Sequence, residues 1–416
     1  MRMMLFTLTA VLIGTGSWVV AADEAAANEA TVNDARVVEN TTIEKIEALG
    51  GTVTRDITQA ERPVVGVDYR ELKRSAGHPH DEHLLLLSSL TQLKSLNLWG
   101  TGTTDSDLQA IRKLTGLKKL DLGYSEITDV GMQTLSGLTK LTSLNLVGGK
   151  FTTAGLQAIA PLDQLTYLNL TRTRTTDQGL KLLTSHRQLG ELHLLDTDVT
   201  DAGLTSLHEF PRLQTLLLSG PQITDAGMKE VGKLKQLTML SLGRTGITDA
   251  GLAELKELKH LTYLYLGEVK ITGQGLQDLK QLKQLVTLDL RKSSTGDAGL
   301  KGVNEFTALT SLNLTDTKVT DAGVKEINGL NALSSLSLRG TLVTDRGLKA
   351  ISEFPELTEL DLRRTSVTDN GLEDLGELKS LKRLSVSEAT ISESGVQKLQ
   401  ELLPATVVTR MANVTP

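Results

Sequence analysis

The chain has 416 residues, a net charge of −6 and no cysteine. These facts exclude a disulfide framework, a thiol nucleophile and a thiolate metal site. With no Lys/Arg block, they also exclude the basic track that generic nucleic-acid binding needs. Aromatic residues are only 3% of the chain, so its core must be aliphatic.

Residues 1–22 have the layout of a cleaved secretory signal peptide. Arg2 supplies the positive start, Leu5 to Ile13 the apolar run, and Val20-Ala21-Ala22 the small residues before Asp23. That run is too short for a membrane span of about 20 residues, and no later one follows. The expectation is an exported chain, secreted or periplasmic, with no transmembrane segment once matured. Residues 23–40, rich in Ala, Glu and Asn, read as a flexible leader.

Residues 41–92 read as an N-terminal cap. Thr41 or Thr42 is positioned to cap a helix through Ile43, Ile46 and Leu49, which Gly50-Gly51 would stop. Strand-like runs follow around Val53 and at Val64–Val67, with Pro63 at the mouth of the second. After a polar loop from Arg70 to His80, Leu84, Leu87 and Leu90 stand one period before Leu108, Ile111 and Leu114. They mark a degenerate first repeat. His78, His80 and His83 with Asp81 form the histidine cluster of the chain, but their spacing matches no zinc signature. An exposed loop entering a helix is expected there, with no metal and no cofactor.

From Leu93 to Pro404 one 24-residue unit recurs thirteen times without insertion, opening at Leu93, Leu117, Leu141 and so on to Leu381. A fixed period of this length marks a solenoid. The copy LTMLSLGRTGITDAGLAELKELKH, Leu237 to His260, shows the parts. Leu240 and Leu242 alternate with Met239, Ser241 and Gly243, predicting a short strand with its leucines inward. Thr245 repeats a hydroxyl at the strand exit, where it could bridge backbone groups between coils. Thr248 or Asp249 is expected to cap a roughly two-turn helix whose inner stripe is Leu252, Leu255 and Leu258. Gly251 recurs near each helix start, implying close backbone packing or an awkward dihedral.

The L-x-x-L-x-L segment resembles the leucine-rich repeat family, and the T-x-I-T-D-x-G-L continuation is similar to its subclass with a helical convex side. Thr or Ser stands where that family usually carries an Asn ladder. The ALGGTVTRD…RPVVGVD lead-in resembles those of secreted leucine-rich repeat proteins of environmental bacteria. The resemblance implies an α/β fold: a right-handed solenoid, horseshoe or arc, with a parallel β-sheet on its concave face and short helices on its convex face.

Because the shared positions explain folding, function is sought where the repeats differ. Most outward strand positions are polar, as in Asn97, Asp121, Asn145, Asn169, Asp289, Asn313 and Asp361. In the middle of the array Tyr167, His193, Leu195, Leu217, Met239, Tyr263 and Tyr265 point outward instead, as a contiguous band, with Trp99 isolated near the start. Beyond them Arg291, Arg339, Arg363 and Arg383 form a basic stripe interleaved with acids, much of it expected to pair across strands. Thr153 and Gly273 replace the usual Asp, and Gly296 the usual Thr; neutral drift accounts for such departures, the alternative being that those coils are locally softer or slightly bent. Residues 405–416 read as a C-terminal cap and tail after Pro404.

No convergent nucleophile, base or metal cluster is present in the pattern, so the chain is expected not to be an enzyme. The reading is a monomeric, non-catalytic binding or scaffold module of the cell envelope or exterior. Its partner, another protein or a cell-surface glycan, is expected on the concave face. The alternative is a structural, self-associating envelope component.

Overall fold

The computed structural model describes residues 37–71 and 81–412. The signal-peptide segment, most of the leader, His78, His80 and the side chain of His83 lie outside what is described.

Among the described residues sixteen strands form one sheet in strict chain order. Thr52–Arg55 runs antiparallel to Val64–Asp68. Val64–Asp68 then pairs in parallel with Ser95–Asn97, and parallel pairing continues to the last strand, Val407–Met411. Each repeat contributes three to five strand residues, with the central leucines in register, as in Leu216, Leu240, Leu264 and Leu288. In the coil from Leu237, the side chains of Leu237, Leu240, Leu242, Ile247, Leu252, Leu255 and Leu258 are all fully buried. Each contributes roughly 1.5–3 kcal/mol of transfer free energy before chain entropy is charged. Phe210, Phe306 and Phe354 fill the last inward slot of their coils, as core.

Roughly two-turn α-helices form on the convex side in several coils, as in Asp129–Leu135, Asp225–Val231 and Asp345–Ile351, but not in all. Asp249–Leu252 is α-helical but continues as a 3-10 turn through Ala253–Leu255, and Gly203–Glu209, Gln274–Leu279 and Asp369–Glu377 are 3-10 throughout. A buried residue at every third position suits the three-residue turn of a 3-10 helix, yet coils with that same spacing, such as Asp345–Ile351, are α-helical.

Thr and Asp of the T-D pair divide two tasks. Thr248 is the N-cap, accepting a hydrogen bond from the Ala250 N–H. The Asp reaches the next coil. Asp225 accepts the Thr248 N–H at 2.7 Å on Oδ1 and the Thr248 hydroxyl at 2.6 Å on Oδ2. The same clamp recurs from Asp105, Asp129, Asp177, Asp201, Asp249, Asp297, Asp321, Asp345 and Asp369 to the Thr or Ser of the following coil. It also explains the recurring glycine. A Cβ on Gly251 would sit on Asp225 Oδ1, closer than real Cβ contacts come. Close approach, and not an unusual dihedral, is the reason.

The strand-exit hydroxyl does not bridge coils. Thr245 Oγ1 donates to the Leu242 carbonyl of its own coil at 2.6 Å, and Thr101, Thr173, Thr197, Thr317, Thr341 and Thr365 repeat that bond three residues back. Its own turn presents a carbonyl within reach, and the hydroxyl takes that local acceptor. Where the following apolar slot holds a Thr (Thr103, Thr175, Thr295), its buried hydroxyl pairs with the strand-exit hydroxyl.

At the N-terminal end a helix covers residues 37–48, and so includes residues 37–40 that the sequence reading assigns to the leader. Thr41 and Thr42 therefore do not cap it. Their hydroxyls lie inside the helix and donate to the Val37 and Val38 carbonyls. The expected stop does occur: Gly50 has φ +91°, with Gly51 N–H to Ile46 carbonyl and Gly50 N–H to Glu47 carbonyl bonds closing the helix. At the other end Val407–Met411 covers Arg383–Ser387, and the Thr406 hydroxyl anchors it to the Leu381 carbonyl.

Candidate functional site

Three rows of side chains run across the concave face, set by the strand register. The first contains Tyr167, Glu191, Thr215, Met239 and Tyr263; the second Asn169, His193, Leu217, Ser241, Tyr265 and Asp289. Leu195 and Arg291 belong to the third, just beyond the strands. Register brings His193 beside Leu217, and Met239 beside Tyr263. Tyr167 meets His193 edge-on, with ring centroids 5.3 Å apart, while His193 Nε2 lies 2.7 Å from Glu191 Oε1. Within each row the members of the predicted band alternate with other residues. Glu191 and Thr215 stand between Tyr167 and Met239, and Ser241 between Leu217 and Tyr265. Its members are half-buried, apart from Tyr263 at 36% exposure.

The second row has a structural task that the sequence reading missed. Asn97, Asp121, Asn145, Asn169, Asp289, Asn313 and Asp361 each accept, through the side chain, the backbone N–H two residues ahead. These are Asx turns that end the strand. Four successive coils lack the residue: His193, Leu217, Ser241 and Tyr265 occupy its place. Each gives up a hydrogen bond worth about 0.5–1.5 kcal/mol and presents a side chain of different chemistry to the concave side.

A second missed row lies at the turn after each strand. Tyr124, Arg172, Asp196, Arg244, Glu268, Lys292, Asp316 and Arg364 all have φ between 52° and 63°. Glycine, which takes this left-handed conformation at least cost, holds the equivalent slot at Gly100, Gly148, Gly220 and Gly340. The backbone is held there because its N–H continues the ladder, as in Arg244 N–H to Gly267 carbonyl at 3.0 Å. The side chains form an ion-pair rim: Arg172 with Asp196 at 3.5 Å, Arg244 with Glu268 at 3.2 Å, and Lys292 with Glu268 at 3.9 Å. The Glu268 carboxyl is lowered chiefly by the Arg244 hydrogen bond, against a smaller opposing effect of burial.

Between Asp196 and Arg244, at Gly220, the rim opens into a depression of about 370 Å³. Ser219, Ser241, Gly243 and Gly267 make its lining shallow, and Leu195, Tyr265, Glu268, Asp289 and Arg291 stand around them. Asp289 is almost wholly buried, and burial raises its carboxyl despite the bond from the Arg291 N–H. Burial also raises the Tyr265 hydroxyl, with Tyr263 and Asp289 adding to it.

The basic stripe is mostly neutralised, though not in the manner expected. Arg291 and Arg363 pair with Asp289 and Asp361 of their own strands, two residues back, and only Arg383 pairs across strands, with Glu359. Ser337 stands where Asp would be in the Arg339 coil, and Arg339 Nε is buried with no hydrogen-bond partner among the described residues. Trp99 is not isolated either, packing edge-on with Tyr124 at 4.9 Å. Among the described residues no three His, Asp or Glu gather as metal ligands, and no helix is long and apolar enough to cross a membrane.

A family model described as a leucine-rich repeat region matches residues 212–408, and another described as a leucine rich repeat matches residues 91–151. Among solved structures, an internalin from Listeria monocytogenes is 25% identical with a TM-score of 0.54, over 73% of this chain and 88% of its own. A leucine-rich repeat protein of Leptospira interrogans is 21% identical with a TM-score of 0.55, over 78% of this chain and 86% of its own, a likeness of fold. No curated protein matches.

Proposed function

We propose that this chain, a leucine-rich repeat protein, is a non-catalytic binding scaffold of the bacterial envelope or exterior that holds a protein partner on the concave face of its middle coils. The observation that carries the reading is the run of four coils in which His193, Leu217, Ser241 and Tyr265 replace the strand-ending Asn or Asp. A fold that forfeits the same turn bond in four neighbouring coils is trading local stability for surface chemistry, as binding sites do. The depression beside them, with its aromatic wall and charged rim, matches the centre-and-rim layout of protein interfaces. Tyr167, Met239, Tyr263 and Leu195 extend that centre. Arg291, Arg339 and Arg363 continue it, Arg339 being the arginine of the three without an acid two residues back. The signal-like start supports export.

The test is photocrosslinking in the native envelope fraction, with the reactive residue at Tyr263 and, as a control, at exposed Lys256 on the convex side. A discrete adduct from Tyr263 and none from Lys256 is expected. Equal labelling from both positions, or none from Tyr263, sinks the proposal.

A further inference from the structure

The convex clamps divide the array into unequal parts. Each clamp ties one coil to the next through a carboxylate that receives two to four hydrogen bonds, as Asp129 does from the Thr152 N–H, the Thr152 hydroxyl and the Gly155 N–H. Two seams lack it. Between the coils opening at Leu141 and Leu165, Thr153 stands in the Asp slot, leaving a hydroxyl contact with Thr176 at 3.3 Å. Between the coils opening at Leu261 and Leu285 both halves are missing, since Gly273 replaces the Asp and Gly296 the Thr. Neither helix start there has a side-chain cap, and Gly296 N–H reaches the Thr272 carbonyl only at 3.4 Å.

At the first gap a different residue takes over part of the task. His186 fills the inward slot that elsewhere holds Leu or Phe, is fully buried, and places Nε2 3.1 Å from the Ile159 carbonyl of the preceding coil. At the second gap nothing replaces the clamp at the helix starts, where glycine backbone faces glycine backbone at Gly273 and Gly299, and the side-chain ties across the seam are solvent-exposed pairs, Lys283 with Glu305 and Lys292 with Glu268.

We infer that the solenoid is built as three cooperative blocks, and that the five coils from Leu165 to Gln284 are the middle one. In a repeat array stability is close to a sum of coil terms and nearest-neighbour interface terms, so the seams with the weakest ties part first. Within the middle block every clamp is intact: Asp177 to Thr200, Asp201 to Thr224, Asp225 to Thr248 and Asp249 to Thr272. The block also contains each of the four successive coils that lack the Asx residue, and its outer strands carry Tyr167 and Tyr265. The coils with the divergent concave face are thus locked to one another and tied more loosely to their flanks. The middle block can therefore change its angle to the flanking blocks without losing its own register.

Native-state hydrogen exchange read by mass spectrometry on the full chain tests this. In the unaltered protein, peptides over strands 166–170 and 286–290 should exchange on the order of tenfold faster than the peptide over 214–218, which lies within the block. Thr153→Asp supplies the missing carboxylate opposite Thr176, and Gly179 leaves the space that the glycines of clamped coils leave. It should slow the 166–170 peptide by about tenfold and leave 286–290 unchanged. Asp225→Ala should create a gap inside the block and speed the 238–242 peptide. Uniform protection in the unaltered chain overturns the inference, as does a Thr153→Asp variant with unchanged exchange at 166–170. If Thr153→Asp does not fold, Asp225→Ala decides alone: an effect spread evenly along the array refutes separate blocks.

Discussion

Asp249 shows what one clamp contributes and how it responds to acid. Burial raises its carboxyl, but donors from Gly275, Thr272 and Gly273 outweigh burial and hold it below the usual carboxylate range. Asp129 shifts the same way for the same reasons, and Asp369 does so with the Ser392 hydroxyl as the leading cause. A carboxyl whose folded value lies below its unfolded one, near 4, binds fewer protons when folded over the interval between them. Its stabilisation is therefore complete above the unfolded value and is lost as pH falls through the folded one. Asp249→Asn should lower the urea midpoint at pH 7 and flatten its decline between about pH 5 and pH 3. Parallel midpoint curves for the two proteins would show that this carboxylate does not carry the acid dependence. Thr248 and Asp249 are plain in the sequence as a candidate cap pair, and their recurrence could be read from it. That Asp249 serves the following coil could not, because the donors lie 23 to 26 residues away and no pattern within one repeat refers to the next.

Within a strand-turn element, the leucine positions were legible because burial imposes a strict alternation, and all thirteen strands obey it. The outward slots were harder to read. Asn169 and Asp289 looked like ordinary surface residues but form the turns, and their apparent variety concealed a rule broken at Leu217. The turn residue after the strand was missed altogether. Its left-handed backbone is filled by Arg244 or Glu268 as readily as by Gly220, so no glycine signal marks it. A consequence follows for Leu217. Leu217→Asn restores the Asx turn, and should stabilise the protein by about 0.5–1.5 kcal/mol in urea melts while weakening partner capture through the concave face. Most proteins lose stability on substitution of a half-buried Leu, so a gain would identify this slot as one where stability had been relinquished. A loss greater than about 1 kcal/mol would mean that Leu217 is packed as core, which would remove it from the proposed interface.

Over the whole molecule, a sixteen-stranded sheet that does not close leaves two edges, and a scaffold that presents its concave face must not polymerise through them. The ends are treated differently. At the N-terminus the sheet reverses direction: Thr52–Arg55 lies antiparallel on Val64–Asp68, its Arg55 paired with Glu39 and bonded to the Arg62 carbonyl, so the edge is short and charged. At the C-terminus Val407–Met411 adds a parallel strand, secured by the Thr406 hydroxyl and by Arg410, whose guanidinium reaches the Ile391 carbonyl and Glu393. The composition of residues 405–416 suggested a cap, but the parallel register and the Arg410 anchor depend on contacts outside the segment. Removal of residues 405–416 would uncover the full length of Arg383–Ser387, including the inward Leu384 and Val386 that are now buried. The intact chain should scatter light as a monomer across a hundredfold range of concentration, and the truncated chain should associate as concentration rises. The aggregate should dissolve when Leu384 is also changed to Lys, since a charge at the exposed end blocks stacking of one array on another. Association of the intact chain over the same range would favour a self-assembling envelope component over a scaffold that binds a different protein. A truncated chain that stayed monomeric would mean that the last strand is dispensable as a cap.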